Sequence, residues 1–221
     1  MKFTTVAADA FKKFQLNAGI LLTEFDPANP TVDRSKIFAA TGGGTSFTAA
    51  PEFIDFGEDV DNVPANTKEL KRIDAITATM SGTLRTADTA VAKRLIGAAD
   101  IDAQTGKITP RADLLQEDFF DLWWVGDYSD DNSDETGGFL AIKLINALSN
   151  GGFSLQSNDK GKGDFEFEFV GHYSLNDITK VPYEMYIGSG ANGETSGETN
   201  GETNGETNGE TNNENTETDG E

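Results

Sequence analysis

Apolar and polar residues alternate along much of the chain with a period of two. The clearest example is residues 164–169, where three phenylalanines alternate with Asp164, Glu166 and Glu168. Because successive side chains of a β-strand point to opposite faces, such a strand carries its phenylalanines on one face and its acids on the other. The pattern therefore predicts a half-buried strand with one acidic face.

Seven further segments combine strand-like apolar patterns with boundaries rich in Gly, Asn, Asp and Pro. They are residues 14–25, 45–56, 72–83, 119–128, 139–148, 153–157 and 183–187. Many short strands separated by such turn residues are typical of β-sandwiches and barrels. We therefore predict a mainly β fold of this kind.

One segment carries the signals of an α-helix instead. Thr86 is placed to cap it, and Asp88 would lie in its first turn. Val91 and Leu95 are four residues apart and would share a face, and Gly97 lies where helices often stop. These residues predict a single helix between about 86 and 97 that flanks the β-structure.

Two stretches between the early strands are predicted to be connections. Residues 42–44 are three consecutive glycines, and the longer segment 57–66 is rich in acids and contains Pro64. The longer segment is too polar to belong to a core. Because long loops in compact domains usually bind something, it is a candidate contact segment.

The composition changes sharply near residue 188. Residues 189–221 contain one apolar residue, Ala191, and nine acids without a base, and Gly-Glu-Thr recurs there every four residues. Such a segment cannot bury enough surface to offset the entropy of ordering it. We therefore predict a β domain in residues 1–188, followed by a disordered acidic tail in residues 189–221.

Overall composition narrows the possible functions. The 221 residues include 38 acids, 17 lysines and arginines, one histidine and no cysteine, and the formal net charge is −21. DNA should not adhere, because affinity for nucleic acid comes from Lys and Arg displacing counterions. Disulfides, thiolate nucleophiles and cysteine-ligated metals are excluded. We expect no signal peptide, because Asp9, Lys12 and Lys13 interrupt the apolar residues near the N-terminus. We expect no membrane anchor, because no segment approaches the roughly 20 apolar residues of a membrane helix.

Two segments resemble ligand-binding loops only superficially. The acid-rich residues 127–135 suggest a calcium loop, but counting from Asp130 the sixth position is Glu135 rather than Gly and the twelfth is Ala141 rather than Glu. Residues 41–46 are glycine-rich but lack the Gly-Lys-Ser/Thr ending of a phosphate loop. A solvated hairpin loop and a flexible turn are the favoured interpretations.

The residues by themselves predict no catalytic site. His172 has no nucleophile motif beside it, so we expect a structural histidine held by hydrogen bonds. Trp123 and Trp124 would point to opposite faces of a strand and cannot both line one sugar site, and one of them should be core. Paired carboxylates can serve as the acid and base of a glycosidase, but 38 acids make coincidental pairs common.

Several segments taken together resemble the major tail tube proteins of long-tailed, siphovirus-type bacteriophages. They are residues 14–22 (FQLNAGILL), 55–64 (DFGEDVDNVP), 76–83 (ITATMSGT), the helix after them, and 165–187 with GHY at 171–173 and VPYEMY at 181–186. The resemblance covers roughly residues 10–188. It lies in the order of the segments and in their kinds of residue rather than in an invariant motif. The chain departs from it at the end, where the Gly-Glu-Thr-Asn tail replaces the outer module that relatives often carry.

The resemblance implies a β-sandwich or half-barrel subunit with one flanking helix. It also implies hexameric rings that stack into a tube, through which DNA passes without specific binding. The implied partners are further copies of the chain, the tape-measure protein, the tail terminator and the baseplate or tail-tip proteins. The implied location is the virion tail, assembled in the host bacterial cytoplasm. The resemblance implies no enzyme activity, and no cofactor or metal is expected.

Two sets of residues are candidates for roles in such a tube. Asp164, Glu166 and Glu168 are candidates for the lumen wall, and the opposite interpretation, that they face the outside of the tube, stays open. The candidates for a loop that reaches the adjacent ring are Gly57, Glu58, Asp59, Asp61, Asn62 and Pro64. The alternatives to a tube subunit are a capsid-associated or decoration module of the virion and a carboxylate glycoside hydrolase.

Overall fold

The computed structural model describes residue 7 and residues 10–128 and 137–188. In these residues the fold is mainly β with one α-helix, as predicted. The elements in chain order are β1 (Gln15–Leu22), β2 (Ile37–Ala39), β3 (Thr41–Asp55), β4 (Lys71–Leu84), α1 (Thr89–Ile96), β5 (Ala99–Asp102), β6 (Lys107–Pro110), β7 (Phe120–Tyr128), β8 (Gly138–Ser149), β9 (Ser154–Gln156), β10 (Asp164–Val170) and β11 (Tyr183–Gly188). The predicted tail, residues 189–221, and most of the calcium candidate, residues 129–135, lie outside the described residues.

The strands form a large antiparallel sheet that folds over into a sandwich. The strand order is β2-β1-β7-β8-β10-β4-β3, with β11 beside β8 and β9 beside β10. The long strand β8 belongs to both layers: its first part pairs with β7 and β11, and its last residues, Leu148 and Ser149, pair with β10. We call β2, β1, β7, β8 and β11 the front layer, and β9, β10, β4 and β3 the back layer.

The main core lies between the two layers. Leu21, Trp124 and Leu144 enter it from the front layer, and Met80 and Phe169 enter it from the back layer. Several rings meet edge-on, as when the ring of Phe169 lies 5.3 Å from that of Phe120. The alternation of the strands explains this core, because every second side chain of each layer points into it.

A second apolar cluster covers the other face of the front layer. It contains Leu22, Trp123 and Val125, with Phe25 and Tyr186 packed against it. Consecutive residues of β7 thus enter different clusters, and Trp123 and Trp124 are both buried. Because both of its faces are covered, the strand needs apolar side chains at nearly every position, which is why its sequence is almost continuously apolar.

A bulge in β1 depends on a glycine. The pairing of β1 with β7 shifts between Leu16 and Ile20, and Gly19 in this stretch has a φ of 68°. A Cβ at Gly19 would lie 2.5 Å from the ring of Trp124. The indole of Trp124 donates a hydrogen bond to the carbonyl of Ala18 at 3.0 Å. The missing side chain therefore lets the bulge lie directly against the tryptophan.

Helix α1 is held by its ends and by two core residues. Asp88 caps it by accepting a hydrogen bond from the N–H of Val91 at 2.8 Å, and Val91 and Leu95 are buried. The predicted cap at Thr86 is wrong, because its hydroxyl instead accepts a bond from the N–H of Ala40. Gly97 ends the helix with a φ of 92°, as its position predicted.

A buried ion pair anchors the segment between the β5–β6 hairpin and β7. The carboxylate of Asp118 is 1% exposed and accepts hydrogen bonds from the Arg111 guanidinium at 2.7 and 2.8 Å and from the N–H of Leu115 at 2.8 Å. Arg111 also lies 2.9 Å from Asp100. Burial opposes ionisation, but the bonds from Leu115 and Arg111 outweigh it and hold the pKa of Asp118 below its ordinary value.

The sequence pattern missed some elements. The glycines at 42–44 were predicted to form a connection, but they belong to β3, where the pairing shifts between Gly42 and Thr45. The short strands β2, β5 and β6 were not predicted, because three or four residues are too few to show an alternation.

Candidate assembly surfaces

The hairpin of β3 and β4 extends well beyond the rest of the back layer. β10 pairs with β4 only as far as Thr79, whereas β3 pairs with β4 out to Asp55, which lies opposite Lys71. Residues 49–55 and 71–78 are therefore held by no other strand in the described parts of the chain. At about 3.3 Å per residue, this part is roughly 20 Å long. We call it the arm.

Apolar side chains of the arm are exposed to solvent. Phe53, Ile54 and Ile73 are 54%, 41% and 58% exposed. Phe53 and Ile54 are consecutive and therefore lie on opposite faces of the ribbon. The base of the arm is fastened where the N–H of Ile76 donates to the hydroxyl of Tyr173 at 2.8 Å. Because an isolated two-stranded ribbon is only marginally stable, this arm is suited to being covered by another surface.

The six predicted inter-ring residues lie together in the loop at the end of the arm. They are Gly57, Glu58, Asp59, Asp61, Asn62 and Pro64, and all but Gly57 are exposed. Asp55 closes this loop by accepting hydrogen bonds from the N–H of Asn66 at 2.7 Å and of Gly57 at 2.9 Å. The bonds from Asn66 and Gly57 lower the pKa of the Asp55 carboxyl. We call residues 56–66 the tip.

The three predicted lumen acids share one face of β10. Phe167 and Phe169 on the opposite face are buried, so the predicted alternation is confirmed. Glu166 is exposed, and Glu168 accepts a hydrogen bond from the side-chain amide of Asn150 at 2.9 Å. Asp164 forms an ion pair with Arg85. These acids lie on the outer face of the sandwich.

That outer face is polar across neighbouring strands. Residues that pair directly across antiparallel strands share a face, and Glu168, Ser81 and Ser46 form one such row. The hydroxyl and carboxylate side chains on this face are Ser46, Thr48, Thr77, Thr79, Ser81, Thr83, Ser154, Asp164, Glu166 and Glu168. The neighbouring base, Arg85, forms an ion pair with Asp164. We call these ten residues the polar face.

Four described strands of the large sheet leave an edge open, because β2, β3, β9 and β11 each pair with a single strand. The two longer ones are β3, which pairs with β4, and β11, which pairs with β8. On β11, Met185 and Ile187 are 51% and 60% exposed. An edge strand presents N–H and C=O groups that can pair with another chain. These edges are therefore candidate contacts between copies.

Carboxylates in the surface grooves are already engaged in structural contacts. One groove of about 360 Å³ contains Asp88, which caps α1, and Asp121, which forms an ion pair with Lys143 at 2.8 Å. Asp127 lines a groove of about 390 Å³ and accepts a hydrogen bond from the Asn17 amide at 2.7 Å. Among the described residues, no group of three or more His, Asp or Glu side chains is placed to hold a metal ion.

His172 has the structural contacts expected from the sequence. Its Nδ1 lies 3.1 Å from the carbonyl oxygen of Asn146, and its own carbonyl accepts a hydrogen bond from the Asn146 side chain. The ring packs edge-on against Phe119. The prediction of a hydrogen-bonded histidine is confirmed.

Sequence reasoning located the tip and the acids but missed the arm and the breadth of the polar face. The arm had a signal in its length, because strands of 15 and 14 residues far exceed the usual five or six. The sequence also contained a signal for the polar face, because Thr77, Thr79, Ser81 and Thr83 alternate with apolar residues and glycine along β4.

Comparisons with known proteins assign no family to this chain. No helix in the described ranges is long and apolar enough to cross a membrane. No protein-family model matches the sequence, and a search of curated proteins finds no significant match.

Proposed function

We propose that this chain is the structural subunit of a long-tailed bacteriophage tail tube, in which hexameric rings stack around a channel for DNA. The observation that carries the proposal is the arm. The sandwich already has a filled interior, yet Phe53, Ile54 and Ile73 remain exposed on a ribbon that pairs only with itself. Contact with another copy would cover them.

The open edges of β3 and β11 support ring formation. Because the two edges differ, pairing between them is a head-to-tail contact, and such contacts give rings when the rotation closes and filaments when it does not. A stacked tube uses the first geometry within a layer and the second between layers. Closure would also remove the edges as sites of uncontrolled aggregation.

The polar face suits the wall of a DNA channel. Its side chains are hydroxyls and carboxylates, and the neighbouring base, Arg85, is paired with Asp164 and so is not free to hold phosphates. At physiological salt the charge of such a wall acts over only about 8 Å. A wall of this kind prevents adhesion without closing the channel, which favours a lumen-facing role for Asp164, Glu166 and Glu168.

In this function the chain works without a cofactor and catalyses no reaction. Its partners are other copies, the tape-measure protein that sets tube length, the terminator, and the baseplate or tail-tip proteins. Its place is the virion tail, after assembly in the host cytoplasm.

Electron microscopy tests the proposal directly. Concentrated protein, alone and co-expressed with a tape-measure protein, should form rings or hollow tubes in negative stain. Monodisperse monomers under both conditions would contradict the proposal. Decoration of capsids without tubes would favour the capsid-associated alternative, and turnover of a polysaccharide would favour the hydrolase.

A further inference from the structure

The tip combines two exposed apolar side chains with three exposed acids, and Lys71 bonds the side chain of its last residue, Asn66. Phe56 and Val60 are 63% and 47% exposed. Glu58, Asp59 and Asp61 flank Val60, are exposed, and form no ion pair with any described residue. Interfaces between proteins commonly combine an apolar centre with a charged rim. The tip therefore has the composition of a surface that contacts another protein.

The loop between β9 and β10 has the complementary composition. Lys160 and Lys162 are exposed and form no ion pair with the described residues, and Asp159 offsets one of their charges. On the strand side of this loop, Phe153 and Leu155 are 47% and 53% exposed. The loop therefore carries one net positive charge in a chain whose net charge is −21. We call residues 153–163 the basic loop.

The tip and the basic loop lie at opposite ends of the back layer. The tip adjoins Lys71, where β4 begins, whereas β10 starts beside Leu84, where β4 ends. These ends are 13 residues apart, or roughly 40 Å along the strand. The two surfaces therefore cannot meet within one subunit, but they face each other when copies are placed end to end along β4.

We infer that the tip of each copy docks on the basic loop of a second copy of this chain in the next layer. This inference rests on the proposed tube function, and it names the receptor for the candidate inter-ring loop. Asp59 and Asp61 face Lys160 and Lys162, and Phe56 and Val60 cover Phe153 and Leu155. A contact between two different ends of the same molecule propagates into a filament, as stacking requires.

Charge reversal tests this contact. D59K/D61K and K160E/K162E should each abolish tubes while leaving rings, because like charges then meet at every layer. The combined variant with all four substitutions should restore tubes, as should mixing the two reversed proteins. R34E/K107E, which changes two exposed bases elsewhere, should form tubes like the wild type. Tubes in either reversed variant, or a folded combined variant without tubes, would overturn the inference.

Cysteine cross-linking separates failure of the contact from failure of the tube. The chain contains no cysteine, so D59C/K160C introduces the only thiols. Mild oxidation of concentrated protein should give a ladder of disulfide-linked oligomers, whereas D59C/K107C should stay monomeric. A ladder without tubes would support the contact between the tip and the basic loop and contradict the proposed tube function. Tubes without a ladder would support the tube and overturn the contact.

Discussion

The middle of the front layer and the arm are both built from antiparallel strands, but large apolar side chains are buried in the front layer and exposed on the arm. On β7, Trp123 and Trp124 point to different faces, and both are buried because each face has its own cluster. On the arm, Phe53 and Ile54 also point to different faces, and both are exposed. The same local geometry therefore gives a core in one place and an open surface in the other.

This difference separates residues that stabilise the subunit from residues that are available to other molecules. Burial of a large apolar side chain contributes roughly 1.5–3 kcal/mol, and the arm leaves much of that unused within one chain. Mutations in the two regions should therefore affect different measurements. We expect the loss in the free energy of unfolding to be largest in the core and smallest in the arm.

Phe169→Ala should have the largest effect. Phe169 is fully buried between the layers and contacts Phe38, Phe120 and Phe167. Removing a buried ring leaves a cavity, so we expect the free energy of unfolding to fall by about 3–5 kcal/mol. Urea denaturation of the monomer measures this. A loss below about 1 kcal/mol would mean that the sandwich interior is not packed as described.

Asp118→Asn should cost about 2 kcal/mol at neutral pH, because Arg111 then lacks its buried carboxylate partner. The native pKa of Asp118 is lowered, so its contribution is present above the pKa of the unfolded carboxyl, near 3.9, and is lost as pH falls through the lower native pKa. The stability difference between wild type and variant should therefore shrink below about pH 4. A difference independent of pH would contradict the ion pair.

Gly19→Ala should cost about 1–2 kcal/mol, because the new Cβ adopts a positive φ and collides with Trp124. Gly106→Ala is the matched control. Gly106 also has a positive φ, of 69°, but a Cβ there meets nothing within 4 Å. Thermal unfolding of both variants separates the cost of the backbone from the cost of the collision. Equal losses of stability in the two variants would show that the ring of Trp124 does not pack closely against Gly19.

Phe53→Ala should change the unfolding free energy by no more than about 0.5 kcal/mol, because the ring is half exposed. The substitution is chemically the same as Phe169→Ala, so the pair compares the arm with the core directly. Under the proposed function, Phe53→Ala should reduce ring or tube formation in negative-stain images. A variant that assembles like the wild type would show that the arm surface is not used.

The sequence predicted the features that depend on neighbouring residues. The alternation in residues 164–169 predicted which side of β10 is buried, and Asp88, Leu95 and Gly97 marked a real helix. The predicted N-cap was wrong, because Thr86 and Asp88 are both residue types that cap helices. Asp88 caps the helix, because the Thr86 hydroxyl instead accepts a hydrogen bond from the N–H of Ala40, which lies 46 positions earlier in the sequence.

For the candidate surfaces, the sequence placed the tip residues and the acids of β10 without revealing what surrounds them. Nothing in residues 45–56 distinguishes the half of β3 that lies in the sandwich from the half that lies in the arm, because both have strand-forming residues. The arm exists because β10 stops pairing with β4 at Thr79. That limit is a property of two segments about 90 positions apart.

By itself, the sequence determined the fold class, the single helix and the face that each β10 side chain takes, because periodicity and capping act over a few residues. Only the tertiary structure decided that both tryptophans are buried and that the β3–β4 hairpin extends beyond the neighbouring strands. It also decided that the tip and the basic loop lie at opposite ends of the back layer. Those outcomes depend on which distant strands pair and where their pairing ends, and short-range patterns carry no information about either.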